Sequence, residues 1–106
     1  MARSSKYTIS YAPEIYKHLH WIEIKCHRLI ATIREQLSHM PATGTRNRKP
    51  LEEPAALGAT WELRFGPKNS FRVFYDVNHD EKIVSVLAIG VKEGNRLFVG
   101  GREFEL

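Results

Sequence analysis

Hydrophobic and polar residues alternate near the start of the chain and then change to a helical spacing. From Lys6 to Tyr11 every second residue is apolar or aromatic, which is typical of a strand with one buried face. Pro13 suits the first turn of a helix, where the missing amide hydrogen costs nothing. Apolar residues then recur three or four apart, at Ile15, Leu19 and Ile22. A second such pattern begins near Lys25 and ends at Pro41, so the two predict an antiparallel helical hairpin.

Strand patterns dominate the second half of the chain. Residues 41 to 60 hold three of the five prolines and predict a long connection, which is usually functional or disordered. Three strands are predicted after it, at Thr60 to Phe65, Phe71 to Asn78 and Lys82 to Val91. The last is apolar at nearly every position, as in a central strand that is buried on both faces. The tail after Val91 is mixed, with a bend expected at Gly100-Gly101.

This order of elements predicts one α+β domain over residues 1-106. A strand and a helical hairpin precede a three-stranded meander, so the helices should cover one face of a mainly antiparallel sheet. Cys26 is the sole cysteine, which excludes an internal disulfide and fits a small core residue. No apolar run approaches the roughly 20 residues that span a bilayer. The first ten residues also lack the apolar core of a signal peptide, so we expect a cytoplasmic protein.

The predicted hairpin "WELRFGPKNSFRVFYDV" places two arginines side by side. If the chain turns around Gly66 to Ser70, Arg64 lies directly opposite Arg72, and like charges at such positions are destabilising. Alternation puts both arginines on the face away from the helices, together with Glu62 and Phe74. We expect this face to be uncovered and Phe74 to be exposed among the charges.

Charge favours an anionic partner for this face. The net charge is +4 and the sequence pI is about 9.4. The loop "TRNRKP" before the hairpin adds Arg46, Arg48 and Lys49, and basic groups interleaved with an aromatic side chain suit a nucleic-acid strand. The alternative is a solvated sheet face with weak ion pairs and a solvated basic loop.

Four stretches of the chain are similar to a known family. They are "APEIYKHLHWIEIKCHRLIATIREQLSHMP", "TRNRKPL", the hairpin and "VLAIGVKEGNRLFVGG". In this order they resemble the RelE/ParE superfamily, the toxins of type II toxin–antitoxin pairs.

The resemblance implies a microbial-ribonuclease-like fold and an antitoxin protein as partner. For the RelE branch it implies cleavage of messenger RNA at the ribosome without a metal or other cofactor, by attack of the ribose 2′-hydroxyl to give a cyclic phosphate. Two alternatives remain open. The ParE branch of the same fold inhibits DNA gyrase, and a degenerate toxin would only bind an antitoxin or nucleic acid.

Residue roles also follow from the resemblance. Arg64, Arg72 and Lys92 match basic positions of the family and are the expected catalytic cations. Glu62 stands where well-known members have a lysine, and Phe98 where they have a tyrosine. Glu62 is therefore either a general base or part of a face that only binds. The expected RNA-binding residues are Arg46, Arg48, Lys49, Phe74, Arg96 and Phe98.

Histidine, the usual acid–base residue, does not point to another site. Four of the five histidines, namely His18, His20, His27 and His39, fall on the predicted helical hairpin. None has the spacing or the partners of a metal site, so we predict no metal.

Overall fold

A computed structural model describes residues 6–13, 15, 19, 28–51, 58–94, 96–99 and 102–104. Pro13, Ile15 and Leu19 are helical, as the first helical pattern predicts. The remainder of that helix, Cys26, three of the helical-hairpin histidines and the Gly100-Gly101 bend lie outside the described residues.

The described elements comprise one helix and seven strands. They are β1 (Thr8–Tyr11), α1 (Leu29–Leu37), β2 (Arg48–Pro50), β3 (Trp61–Phe65), β4 (Phe71–Asn78), β5 (Ile83–Glu93), β6 (Arg96–Val99) and β7 (Arg102–Phe104). A short 3₁₀ turn, Pro67–Asn69, joins β3 to β4.

The strands form a single sheet in the order β2-β3-β4-β5-β6-β7. Strand β1 pairs with the first half of β5 and is parallel to it, and all other pairs are antiparallel. Because β4 occupies one edge of β5, β1 and β6 share the other edge at its two ends. The predictions of a central β5 and of an α+β fold with a mainly antiparallel sheet are confirmed.

Three strands lie where the sequence predicted none. Strand β2 falls inside the predicted connection, and β6 and β7 fall in the mixed tail. Strand β2 is an edge strand, and such a strand needs no apolar alternation and tolerates proline. Strand β6 pairs with the last residues of β5, which extends two residues beyond its predicted end.

The core lies between α1 and one face of the sheet. Leu29, Ile33 and Leu37, spaced four apart, have no exposed surface and give α1 its buried stripe. They pack in one cluster with Leu63 and Tyr75 of the sheet. A β-bulge shifts the β4–β5 register after Phe74, so that Leu87 is an extra residue on β5.

A tyrosine joins this core to the loop that follows α1. The Tyr75 hydroxyl donates a hydrogen bond of 2.6 Å to the Pro41 carbonyl oxygen. Burial raises the pKa of the Tyr75 phenol above its ordinary value, and the positive charge of Arg48 acts in the opposite direction. The phenol is therefore held in its neutral form.

The β3–β4 turn has an unusual backbone that fixes the start of β4. Gly66 has φ +81°, and a Cβ atom there would lie 2.4 Å from a ring carbon of Phe71. Lys68 and Asn69 also have positive φ, of 54° and 53°. The Asn69 amide donates to the Gly66 carbonyl at 2.9 Å, and the Lys92 amide donates to the Ser70 carbonyl at 2.7 Å. The turn is thus tied both to itself and to β5.

Candidate functional site

The β3–β4 register is the one that the sequence predicted. Arg64 lies opposite Arg72, Glu62 opposite Phe74, and Phe65 opposite Phe71. In strand β2, Lys49 lies opposite Glu62. Because directly opposed residues point to the same side of a sheet, Lys49, Glu62, Arg64 and Arg72 share the face away from α1. This set is called the cationic cluster below.

The Glu62 carboxylate accepts hydrogen bonds from both of the facing arginines. The Arg64 Nε atom donates to Glu62 Oε1 at 2.8 Å, and Arg72 Nη1 donates to Glu62 Oε2 at 3.4 Å. The Lys49 Nζ atom lies 3.9 Å from Glu62 Oε1. Each oxygen of Glu62 therefore faces a guanidinium group, and its negative charge offsets the repulsion between Arg64 and Arg72.

The side chains of this face are more buried than the sequence predicts. Glu62 is only 6% exposed and Arg72 only 7%, while Phe74, which was expected to be exposed, is half-buried. The physical reason is the ion pairing itself, because it holds the charged side chains against the sheet instead of extending them into water. Ion pairs buried in this way respond strongly to loss of one partner, unlike exposed ones.

The β3–β4 turn fixes the direction of the Arg72 side chain. Its Nε atom donates to the Asn69 carbonyl oxygen at 3.0 Å, so two of its three nitrogens are bound by protein groups. Among the described residues, Arg72 Nη2 and the two terminal nitrogens of Arg64 have no hydrogen-bond partner. Guanidinium nitrogens of this kind are strong hydrogen-bond donors to anions.

A cleft of about 470 Å³ opens beside Arg72. Its lining residues are Lys68, Ser70, Arg72, Lys92 and Gly94. Arg72 lies opposite Gly90, and Lys92 follows two residues later on the same face of β5. The fold therefore brings the predicted Lys92 next to Arg72, with Arg64 on the other side of Arg72.

The three cationic side chains of the loop before the hairpin do not lie on one surface. Lys49 belongs to the cationic cluster, and Arg46 is exposed. Arg48 lies opposite Leu63 and so occupies the α1 side of the sheet. Its Nη1 atom donates to the Met40 carbonyl oxygen at 2.9 Å and also to the Gln36 carbonyl. The expectation that Arg48 shares the surface of the arginine pair is wrong, because this guanidinium binds the carbonyl groups at the end of α1.

Two further predicted RNA-binding residues lie on the same side as Arg48. Phe98 pairs with Val91, and Val91 pairs with Phe71. This register places Phe98 on the other face of the sheet from Arg72. Arg96 pairs with Glu93 and follows the same alternation. The structure does not bring these two residues to the cationic cluster, and their contact with RNA stays a prediction.

Lys68 and Ser70 were missed by the sequence interpretation. They lie in "GPKNS", for which the sequence pattern predicts only a turn. A lysine inside a turn that joins two arginine-bearing strands was the available signal.

Among the described residues there is no group of three histidine, cysteine, aspartate or glutamate side chains that would hold a metal ion. Within the same part of the chain, no helix has the length and apolarity to cross a membrane. The described contacts of His79 are both with Tyr7: the Tyr7 hydroxyl lies 3.2 Å from its Nδ1 atom, and the two rings meet edge to face with centroids 6.3 Å apart.

Comparison with solved structures gives matches to the fold. No protein-family profile matches the chain, and no curated protein matches its sequence. A chain in the crystal structure of the toxin–antitoxin complex RelBE2 from Mycobacterium tuberculosis superposes with a TM-score of 0.62 at 22% identity. The match covers 82% of this chain and 99% of that one. This likeness shows the fold, and the fold predicted from the resemblance is confirmed.

Proposed function

We propose that this protein is the toxin of a type II toxin–antitoxin pair and acts in the cytoplasm as a metal-free endoribonuclease. Its substrate is messenger RNA at the ribosome, so its action inhibits translation. Two independent lines support the proposal, namely the sequence resemblance to RelE-like toxins and the fold shared with a chain of a toxin–antitoxin complex.

The observation that carries the proposal is the placement of Arg64 and Arg72. Two guanidinium groups are held side by side by Glu62, and nitrogens of both have no hydrogen-bond partner among the described residues. Arg72 also lines a cleft together with Lys92. Planar guanidinium groups bind a phosphate through two parallel hydrogen bonds. Such fixed donors cost little reorganisation when negative charge develops on a bound phosphate.

The chemistry that fits is attack within the RNA strand. The 2′-oxygen forms a bond to the adjacent phosphorus as its proton leaves, and the bond from phosphorus to the 5′-oxygen breaks as that oxygen gains a proton. The products are a 2′,3′-cyclic phosphate and a 5′-hydroxyl. The extra negative charge of the pentacovalent intermediate lies on phosphate oxygens, where Arg64, Arg72 and Lys92 stabilise it.

Glu62 acts chiefly on the arginines. A general base must reach the proton that it abstracts, within hydrogen-bond distance or through one water molecule. The Glu62 carboxylate is almost fully buried, and both of its oxygens face guanidinium groups. This geometry favours a positioning residue over the general base that was one expectation from the sequence.

The surrounding residues would bind the RNA strand. Lys49 continues the positive surface from Arg64, and Arg46 is exposed on the same loop. Phe74 lies half-buried opposite Glu62, where part of its ring remains accessible for stacking. An antitoxin partner would cover this surface with acidic side chains and so exclude RNA.

Pulse labelling after controlled expression in a bacterium tests the function. Methionine and thymidine incorporation are followed in parallel for the wild type, for Arg72→Ala and for Arg28→Ala. Arg28 is a matched control because it is an exposed arginine that pairs with Glu35 at 3.6 Å on the helix. We expect methionine incorporation to fall first with the wild type and with Arg28→Ala, and not with Arg72→Ala.

The alternatives give different results in the same experiment. An earlier fall in thymidine incorporation would indicate a gyrase inhibitor of the ParE type. No effect on either label would indicate a module that only binds. Cleavage of messenger RNA in a purified translation system, with cyclic-phosphate ends on the fragments, would then establish the chemistry.

A further inference from the structure

The turn between β3 and β4 carries a lysine that the proposed reaction does not use. Lys68 lines the cleft together with Ser70, Arg72 and Lys92. Lys68 is exposed, while Arg72, which lines the same cleft, is almost fully buried. Three cationic side chains therefore surround one cleft, and each of them can donate to an anion.

Two residues of this turn have an unfavourable backbone conformation. Lys68 and Asn69 are consecutive non-glycine residues with positive φ, a conformation that such residues adopt in only a few per cent of cases. Strained residues of this kind persist where surrounding contacts hold them, and they occur often at ligand-binding sites. Here the contacts are specific, since the Asn69 carbonyl accepts from Arg72 Nε and the Ser70 carbonyl accepts from the Lys92 amide. The same two cleft-lining residues, Arg72 and Lys92, thus fix the turn that presents Lys68.

The position of Arg72 divides the surface into two parts. On one side its Nη1 atom meets Glu62, which also binds Arg64. On the other side it lines the cleft with Lys68 and Lys92. In the proposed function Arg72 and Lys92 bind the scissile phosphate, so a second phosphate bound by Lys68 and Ser70 would lie beside it in the same cleft. Two phosphates that are held close together in this way suit neighbouring positions of one nucleic-acid strand.

We infer that Lys68 and Ser70 form a second phosphate subsite, which binds the RNA phosphate adjacent to the scissile one. This inference rests on the proposed function for the identity of the strand, and it adds a binding residue outside the reacting group. Ser70 contributes a hydroxyl donor, and Lys68 contributes a charge that makes binding dependent on salt.

Binding to a strand that cannot be cleaved tests the subsite apart from the reaction. The probe is a short 2′-O-methyl RNA with a fluorescent label, in a set where each phosphate in turn is a neutral methylphosphonate. Dissociation constants are measured by anisotropy at several salt concentrations. The variants are Lys68→Asn, Lys68→Arg and Lys82→Asn.

Lys82 provides a close control. It is an exposed lysine with φ 58° in the β4–β5 turn, at the other end of β4, so its replacement removes the same charge from the same backbone conformation. Asparagine tolerates positive φ, so neither turn has to change shape. Urea unfolding of all three variants checks that they remain folded.

The expected effects depend on which phosphate of the RNA strand is replaced. In the wild type two neighbouring methylphosphonates should weaken binding, each on the order of threefold to tenfold. In Lys68→Asn a methylphosphonate at one of these two positions should no longer weaken binding. The slope of log K against log salt should also become shallower by about 0.7, the value for one phosphate on a single strand. Lys68→Arg should restore both properties, and Lys82→Asn should behave as the wild type.

The inference is overturned if Lys68→Asn keeps both sensitive positions and the wild-type salt slope, or if the wild type binds none of these strands. Either result leaves the proposed function to be judged separately, by cleavage of messenger RNA in the translation system. If Arg72→Ala abolishes cleavage and Lys68→Asn shows the expected changes in binding, the proposed function and the second phosphate subsite are both supported.

Discussion

Replacing Glu62 by glutamine separates the two roles that this carboxylate can have. The side chains have nearly the same shape, but glutamine is neutral and has one acceptor oxygen in place of two. Its amide NH₂ group would face either Arg64 or Arg72. No hydrogen bond can form there, because the amide NH₂ and the guanidinium N–H groups are both donors. One of the two guanidinium groups therefore loses its partner while the other keeps a weaker one.

The burial of the two arginines sets the size of the effect on stability. The Arg72 side chain is 9% exposed, and removing one partner of a buried ion pair costs about 3 to 5 kcal/mol. The Arg64 side chain is 32% exposed, so water screens its pair and its contribution is smaller. Because glutamine keeps one acceptor, we expect the free energy of unfolding to fall by about 2 to 4 kcal/mol. That loss leaves a typical domain folded, since total stabilities are about 5 to 15 kcal/mol.

The assay combines urea unfolding with the pH dependence of cleavage. Glu35→Gln is the control for stability, because its ion pair with Arg28 is exposed at both ends and should contribute about 0 to 1 kcal/mol. For the folded variant a positioning role predicts that KM rises and kcat falls, because the arginines bind the phosphate and stabilise its developing charge, while the acid side of the pH profile of kcat keeps its shape. A general base predicts that kcat falls by about 10²- to 10⁴-fold and that the acid side of the profile disappears.

Two results would refute the reasoning. If Glu62→Gln loses no more stability than Glu35→Gln, the carboxylate does not hold the two arginines. If the acid side of the profile disappears while KM is unchanged, Glu62 is the base and its burial does not prevent contact with the 2′-hydroxyl.

The remaining predictions concern the scaffold of the site. Gly66→Ala should destabilise the fold by more than 1 kcal/mol, because a Cβ atom would meet the Phe71 ring and the residue has positive φ; urea unfolding measures it, and an unchanged midpoint would contradict the strained turn. Stability should fall as pH rises above about 10, because the unfolded chain ionises Tyr75 at its ordinary pKa while the folded chain keeps it neutral. Tyr75→Phe should reduce this alkaline loss and lower stability at neutral pH by about 1 kcal/mol, and thermal melts of both proteins from pH 7 to 11 test the difference. Arg48→Ala should lower the melting temperature because its hydrogen bonds to the end of α1 are lost, whereas Arg46→Ala on the exposed loop should not. Equal melting temperatures for these two variants would show that Arg48 has no structural role.

The sequence by itself determined the class of fold and the register of the central hairpin. Alternation along β3 and β4 fixes which side chains share a face, and "GPKNS" fixes where the chain turns, so the pairing of Arg64 with Arg72 follows from local information. The spacing of Leu29, Ile33 and Leu37 likewise predicts the buried face of a helix without knowledge of its partner.

Only the tertiary structure decided what surrounds the paired arginines. The position of the Glu62 carboxylate between them depends on side-chain conformations and ion pairs, which alternation does not specify. The turn of Arg48 toward α1 and the face taken by Phe98 depend on β2 and β6, whose mixed edge sequences carry little strand signal. Strand pairing between residues distant in sequence, rather than local preference, therefore formed the cleft that joins Arg72, Lys92 and Lys68.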